Sequence, residues 1–220
     1  MKLDFVAFYT WMENQLRLSA DFATSVHAVC DWLEESVPHK DWSKVRSLDA
    51  NVDLQSAREW LPAALQSSPC PFEAKAIFFG LTEIMGEEDD YGNYGPEHAD
   101  LYPVLFARYD ADDDTLQWLY GDDRHDFDDL NANLKGLKEA GLIFNSSTEA
   151  IGNECYIAYS VAYAALLLRH LLDGKMYSTL QCKDAIGIAT GFSSGDLFCL
   201  GEFSADGLEL RSKPMIAAAV

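Results

Sequence analysis

Residues 156–172 are apolar almost all round, interrupted only by Ser160 and by the Arg169-His170 pair near the end. A helix without a polar face has to be enclosed by other elements. The segment, taken as 155–172, is therefore expected to be the central helix of the fold. It is too short to cross a bilayer, which needs roughly 20 consecutive apolar residues. Enclosing it takes a sizeable core, and 220 residues supply one. A chain of this length buries roughly 70% of its unfolded surface and needs neither disulfide nor metal as a staple. Tyr156, Tyr159 and Tyr163 share one stripe of this helix. Such a stripe can line a pocket; packing on a sheet, with the hydroxyls reaching its edge, is the commoner arrangement and the one expected here.

Around that helix the chain reads as one domain, 1–220, in four blocks. Residues 1–70 are helical. Phe5, Phe8, Tyr9, Met12 and Leu16 recur at helical spacing, as do Phe22, Val26, Val29, Cys30, Leu33 and Val37, up to Pro38. Asp53 reads as the N-cap of a third helix through Trp60 and Leu65, kinked or split at Pro62. Residues 76–120 read as a β meander with acidic loops: strands at 76–84, 101–109 and 115–120, the second near an edge or strand end because of Pro103. Residues 126–172 return to helix, with Asp126 capping a segment through Leu130, Leu134 and Leu137 and Gly141 closing it. Residues 185–210 hold strands at 185–190, 197–203 and 208–210, separated by the turn chemistry of Ser194-Gly195-Asp196 and Asp206-Gly207. The simplest assembly is α+β: one mixed or antiparallel sheet built from both β blocks, with helices packed on one face.

Charge narrows the function. Thirty-six acids against sixteen bases give a net charge of −20. Between Glu87 and Asp129 stand fifteen acids and only two bases, Arg108 and Arg124. A field of this sign repels nucleic acid and anionic membrane and attracts basic proteins and cations. The plainest account is solvated loop acids that keep the protein soluble. The sharper one is an acidic surface for a basic protein partner, formed by Glu87, Glu88, Asp89, Asp90, Asp112, Asp113, Asp114, Asp122 and Asp123, with Tyr91, Tyr94, Trp118 and Tyr120 as aromatic anchors. Immunity-type inhibitors of toxins and nucleases use this physics, placing carboxylates where phosphate would bind; the analogy is one of charge and size. The alternatives are a small carboxylate- or metal-dependent hydrolase, with His98 and His125 as further candidates, and a structural or assembly subunit. The chain leaves its oligomeric state open.

No catalytic, cofactor or metal motif survives scrutiny. Gly191-Phe192-Ser193-Ser194-Gly195 has the spacing of a nucleophile elbow, but a strand rather than a helix is expected after it, and no histidine lies beyond His170. Asp110, Asp112 and Asp114 open like a calcium loop. The required glycine is Thr115 and the required glutamate is Gly121, which leaves only an irregular cation site with Asp122 or Asp123 open. His27 and Cys30 lie one helical turn apart without a third ligand. Cys155 and His170 would stand about 22 Å apart on one helix, too far for a dyad. Five cysteines (Cys30, Cys70, Cys155, Cys182 and Cys199) without a Cys-x-x-Cys pair form neither a disulfide framework nor a zinc ribbon, and Cys70, between two prolines, is the one expected at the surface. The first residues lack the pattern of a signal peptide, so a cytoplasmic location is expected.

Overall fold

A computed structural model describes residues 3–84, 98–113, 115–127, 131–132, 134–145, 152–180, 183–192 and 197–211. Its elements run α1 (Phe5–Leu16), α2 (Phe22–Ser36), α3 (Trp42–Arg46), α4 (Ala50–Ser67), β1 (Ala76–Ile84), β2 (His98–Phe106), β3 (Arg124–Asp126), α5 (Lys135–Asn145), α6 (Gly152–Leu171), α7 (Gly174–Leu180), β4 (Ile186–Phe192), β5 (Leu197–Ser204) and β6 (Gly207–Leu210). The six strands form one mixed sheet in the order β3-β2-β1-β4-β5-β6. β1 and β4 pair in parallel at its centre, and every other pair is antiparallel. Each β block thus builds one half, and the helical segment between them makes the crossover that a parallel pair requires. The class is α+β, as the sequence suggests.

The apolar segment is α6. It touches α1, α2, α4, α5 and β4, and its residues from Cys155 to Leu168 are buried except for the half-buried Ile157. The sheet supplies the floor of this core. Ile77, Phe79 and Leu81 of β1, Leu101 and Leu105 of β2, Ile188 of β4 and Phe198 and Leu200 of β5 belong to the same cluster as the helices. The period of two along each strand sends the alternate residues to the opposite face. There Phe78, Val104, Phe106, Ala189, Leu197 and Cys199 form a second, smaller core that, among the described residues, takes none from α1 to α7. Among the described residues, no single helix is long and apolar enough to cross a membrane.

The tyrosine stripe divides between two surroundings. Tyr156 meets Phe192 of β4, while Tyr159 and Tyr163 turn toward Phe144 of α5 and Phe22 of α2. The Tyr163 hydroxyl reaches no sheet edge; it donates to Asp53 Oδ2 at 2.7 Å inside the helical core.

Asp53 is not the cap of its own helix. Asp49 takes that role, accepting from the Asn51 amide at 3.1 Å. Asp53 lies one turn further on, 1% exposed, and accepts from the amides of Lys135 at 2.8 Å and Gly136 at 2.6 Å. It therefore caps α5 from α4, because a buried helix start needs an acceptor for its orphan N–H groups. This also corrects the expected start of α5. Asp126 belongs to β3, and Gly141 lies inside the helix rather than at its end. Pro62 neither splits nor ends α4. It removes the bond to the carbonyl of exposed Arg58, where water can replace it, while Ala57, Leu61 and Ala64 hold both halves to the core.

The meander also differs in detail. β2 begins at His98, in the interval expected as loop. Residues 117–120 form a single 3-10 turn instead of a strand, and the third strand is Arg124–Asp126. The Leu101 carbonyl accepts from Ala132, so the odd residues of β2 turn their backbone groups away from β1. Pro103 thus lacks its N–H on the side where β3, paired only with Val104 to Phe106, has already ended.

Burial pushes the Asp53 carboxyl up, against the opposing pull of Tyr163 and the two amides. Asp53→Ala leaves those three donors without an acceptor and is expected to cost about 2–4 kcal/mol in urea unfolding. The folded chain also holds the Asp53 proton to higher pH than the unfolded chain does. Its contribution is therefore fully present below the ordinary aspartate value, about 4, and is lost as pH rises through the raised folded value. Asp53→Asn should flatten that part of the stability-versus-pH curve.

Candidate protein-binding face

The face of the sheet opposite the main helical core is covered, among the described residues, by the segment that follows β2. Leu116 adopts a left-handed backbone (φ 53°), uncommon for a branched residue, and drives its side chain into the second core. Asp113 holds this geometry. Its carboxylate accepts from the Thr115 amide at 2.9 Å, the Thr115 hydroxyl at 2.6 Å and the Gln117 amide at 2.5 Å. Although burial opposes it, this set of bonds keeps the Asp113 carboxyl below its usual range. Trp118 follows in the 3-10 turn and packs edge-on against Phe106 and Tyr109.

Two glycines let aromatic rings lie flat on this face. A Cβ on Gly80 would stand 2.3 Å from the Tyr102 ring, and one on Gly187 would stand 2.1 Å from the Tyr109 ring. Glycine is needed at both positions because the neighbouring ring occupies the space above the strand. Between these parts lies a cleft of about 380 Å³, bounded by β1, β2, β3, β5 and the 3-10 turn. Phe78, Val104, Phe106 and Leu197 are its apolar lining, and Tyr102, Leu119, Tyr120, Arg124 and Asp126 complete it.

The expected partner-binding residues fall into three groups. Glu87, Glu88, Asp89, Asp90, Tyr91, Tyr94 and Asp114 lie outside the described residues. Asp113 and Trp118 are committed to the fold: one caps the 3-10 turn, and the other is only 7% exposed within the second core. Trp118 is thus a packing residue in this structure and presents no surface ring. Asp112, Tyr120, Asp122 and Asp123 are exposed, and Tyr120, at 59%, is the large aromatic side chain most open to solvent among the described residues.

Both bases of the acidic stretch are engaged by local acids. Arg108 pairs with Asp123, and Arg124 Nε lies 3.1 Å from Asp126 Oδ2. Arg124, Asp126, Tyr102 and Leu119 were not legible as site residues. The signal that points to them is the alternation along β2, which puts Tyr102, Val104 and Phe106 on the side opposite Leu101 and Leu105.

Other candidates do not converge. Among the described residues no three of His, Cys, Asp and Glu are grouped to hold a metal ion. His27 is exposed and Cys30 buried, so the two do not share a site. His98 Nε2 is 3.9 Å from Asp100 on the same strand, and His125 Nε2 lies 3.3 Å from the Ser68 carbonyl, its ring against Phe127. Burial pushes the Cys30 and Cys155 thiols up to about 12, leaving both protonated at neutral pH. Cys70 is half-buried. Of the Gly-x-Ser-x-Gly stretch, Gly191 and Phe192 end β4, which pairs antiparallel with β5, while Ser193, Ser194 and Gly195 lie outside the described residues. No family model, curated protein or solved structure matches the chain.

Gly80→Ala is expected to destabilise the fold by about 1–3 kcal/mol, because the Tyr102 ring has to leave its place. Combining it with Tyr102→Val should recover most of that loss in urea unfolding, since the two positions share one volume.

Proposed function

We propose that this chain is an acidic cytoplasmic binding protein that covers a basic surface of another protein. Within that class, an immunity-type inhibitor of a basic toxin or nuclease is the reading it fits best. The supporting observation is Tyr120, more than half exposed on the wall of the cleft, with Asp122 and Asp123 following it across Gly121 and Asp126 on the same cleft. An aromatic anchor beside a desolvated pocket is the usual source of affinity in a protein interface. Carboxylates around it speed and orient the encounter with a basic partner, and a net charge of −20 extends that attraction beyond contact range. On a nuclease, the same carboxylates would occupy positions that otherwise receive substrate phosphates.

The reading expects a one-to-one complex with a basic protein, visible by size-exclusion chromatography after capture from the source cells and dissociated by salt. The triple variant Tyr120→Ala/Asp122→Asn/Asp123→Asn, folded as judged by its unfolding curve, should weaken that complex at least about tenfold, since truncating a central anchor alone costs on the order of 2 kcal/mol. Capture of the same proteins by wild type and variant, or a complex indifferent to salt, would overturn it.

A further inference from the structure

The cleft carries a clue to which basic side chain it receives, an inference that rests on the binding reading above. β3 pairs Asp126 with Val104 and Arg124 with Phe106, and both partners on β2 face the second core. Arg124 and Asp126 therefore project from the same face as the cleft, two residues apart, and both line it. The chain's own guanidinium already rests against the Asp126 carboxylate, with Nε 3.1 Å from Oδ2. Both side chains are about half exposed, at 57% and 48%. A pair this open to water is held only weakly and can exchange.

The remaining walls suit the rest of an arginine. Tyr102 and Tyr120 offer aromatic faces on which a planar guanidinium stacks, above a floor where Phe78, Val104 and Leu197 show only their edges, each at most 5% exposed. Lysine has the charge without the plane or the fork, so it exploits the carboxylate and not the rings. A second copy of this chain is a poor occupant, because two bodies of charge −20 repel.

We infer that the cleft is a receptor for one arginine side chain of the basic partner, with Asp126 accepting its guanidinium and Arg124 holding that place in the free protein. The binding event is then an exchange of one guanidinium for another.

The test uses the full chain and two capped pentapeptides, Ac-Gly-Leu-Arg-Leu-Gly-NH2 and its lysine counterpart, titrated to millimolar concentration and followed by NMR. The arginine peptide should shift Leu119, Tyr120 and Leu197 saturably and bind about three- to tenfold tighter than the lysine peptide. Arg124→Ala should tighten arginine binding several-fold by vacating the carboxylate, and Asp126→Asn should weaken it about tenfold, with resonances of the helical core unchanged in both variants. Equal binding of the two peptides, shifts elsewhere than the cleft, no binding at millimolar peptide, or no gain in Arg124→Ala would each overturn the inference. If arginine preference fails while the salt-sensitive protein complex persists, only this inference falls. If the preference holds and no such complex forms, the binding reading falls instead.

Discussion

The enclosure of α6 is the constraint from which the rest of the structure follows. A helix with no polar face leaves no side open to water, and here α1, α2, α4 and α5 surround it while β4 closes the floor. Enclosure on that scale buries polar groups as well as apolar ones, and each buried group needs a partner. The start of α5 lies in this interior, and so does the Tyr163 hydroxyl. One carboxylate, Asp53, accepts from both and ties α4, α5 and α6 together. The central helix could not be covered by α5 without some acceptor at that point.

With the helices gathered on one face, the other face has to be closed by what remains of the chain. The segment after β2 does so with few residues. Leu116 and Trp118 fill the second core, Asp113 holds the backbone that delivers them, and glycines under Tyr102 and Tyr109 let those rings lie on the strands. A left-handed leucine is unfavourable in itself, and burial of its side chain together with the three bonds to Asp113 offsets that cost. A thin cover of this kind leaves a cleft where a layer of helices would leave none.

Much of the architecture is legible in the sequence, and the failures share a cause. α1 and α2 show their apolar spacing openly, α6 shows an almost unbroken apolar run, and the four longer strands show branched and aromatic runs, because in each the signal lies within the element's own residues. The errors arise where a residue serves a distant element. Asp53 looks like a local cap because its sequence neighbourhood is that of a helix start, yet its ligands lie more than eighty residues away. The run from Thr115 to Tyr120 has strand-like composition, and only the left-handed turn at Leu116 bends it onto the sheet. At the site, acidic residues were easy to find by type, but type alone does not separate Asp113, which is spent on the fold, from exposed Asp122.

That distinction comes from burial, and it explains how one residue type can both hold this molecule together and present a surface. Asp53, 1% exposed, has exchanged water for three fixed donors, and any rearrangement would strand them in a dry core. Asp126 sits at 48% with one basic neighbour and water at hand, so losing that neighbour costs little. A carboxylate of the first kind specifies a fold and cannot take part in recognition without breaking it. One of the second kind contributes little to stability and for that reason is free to change partners. Asp122, Asp123 and Asp126 keep that freedom on the side of the sheet that the helices leave uncovered, where the exchange can occur without disturbing the core around α6.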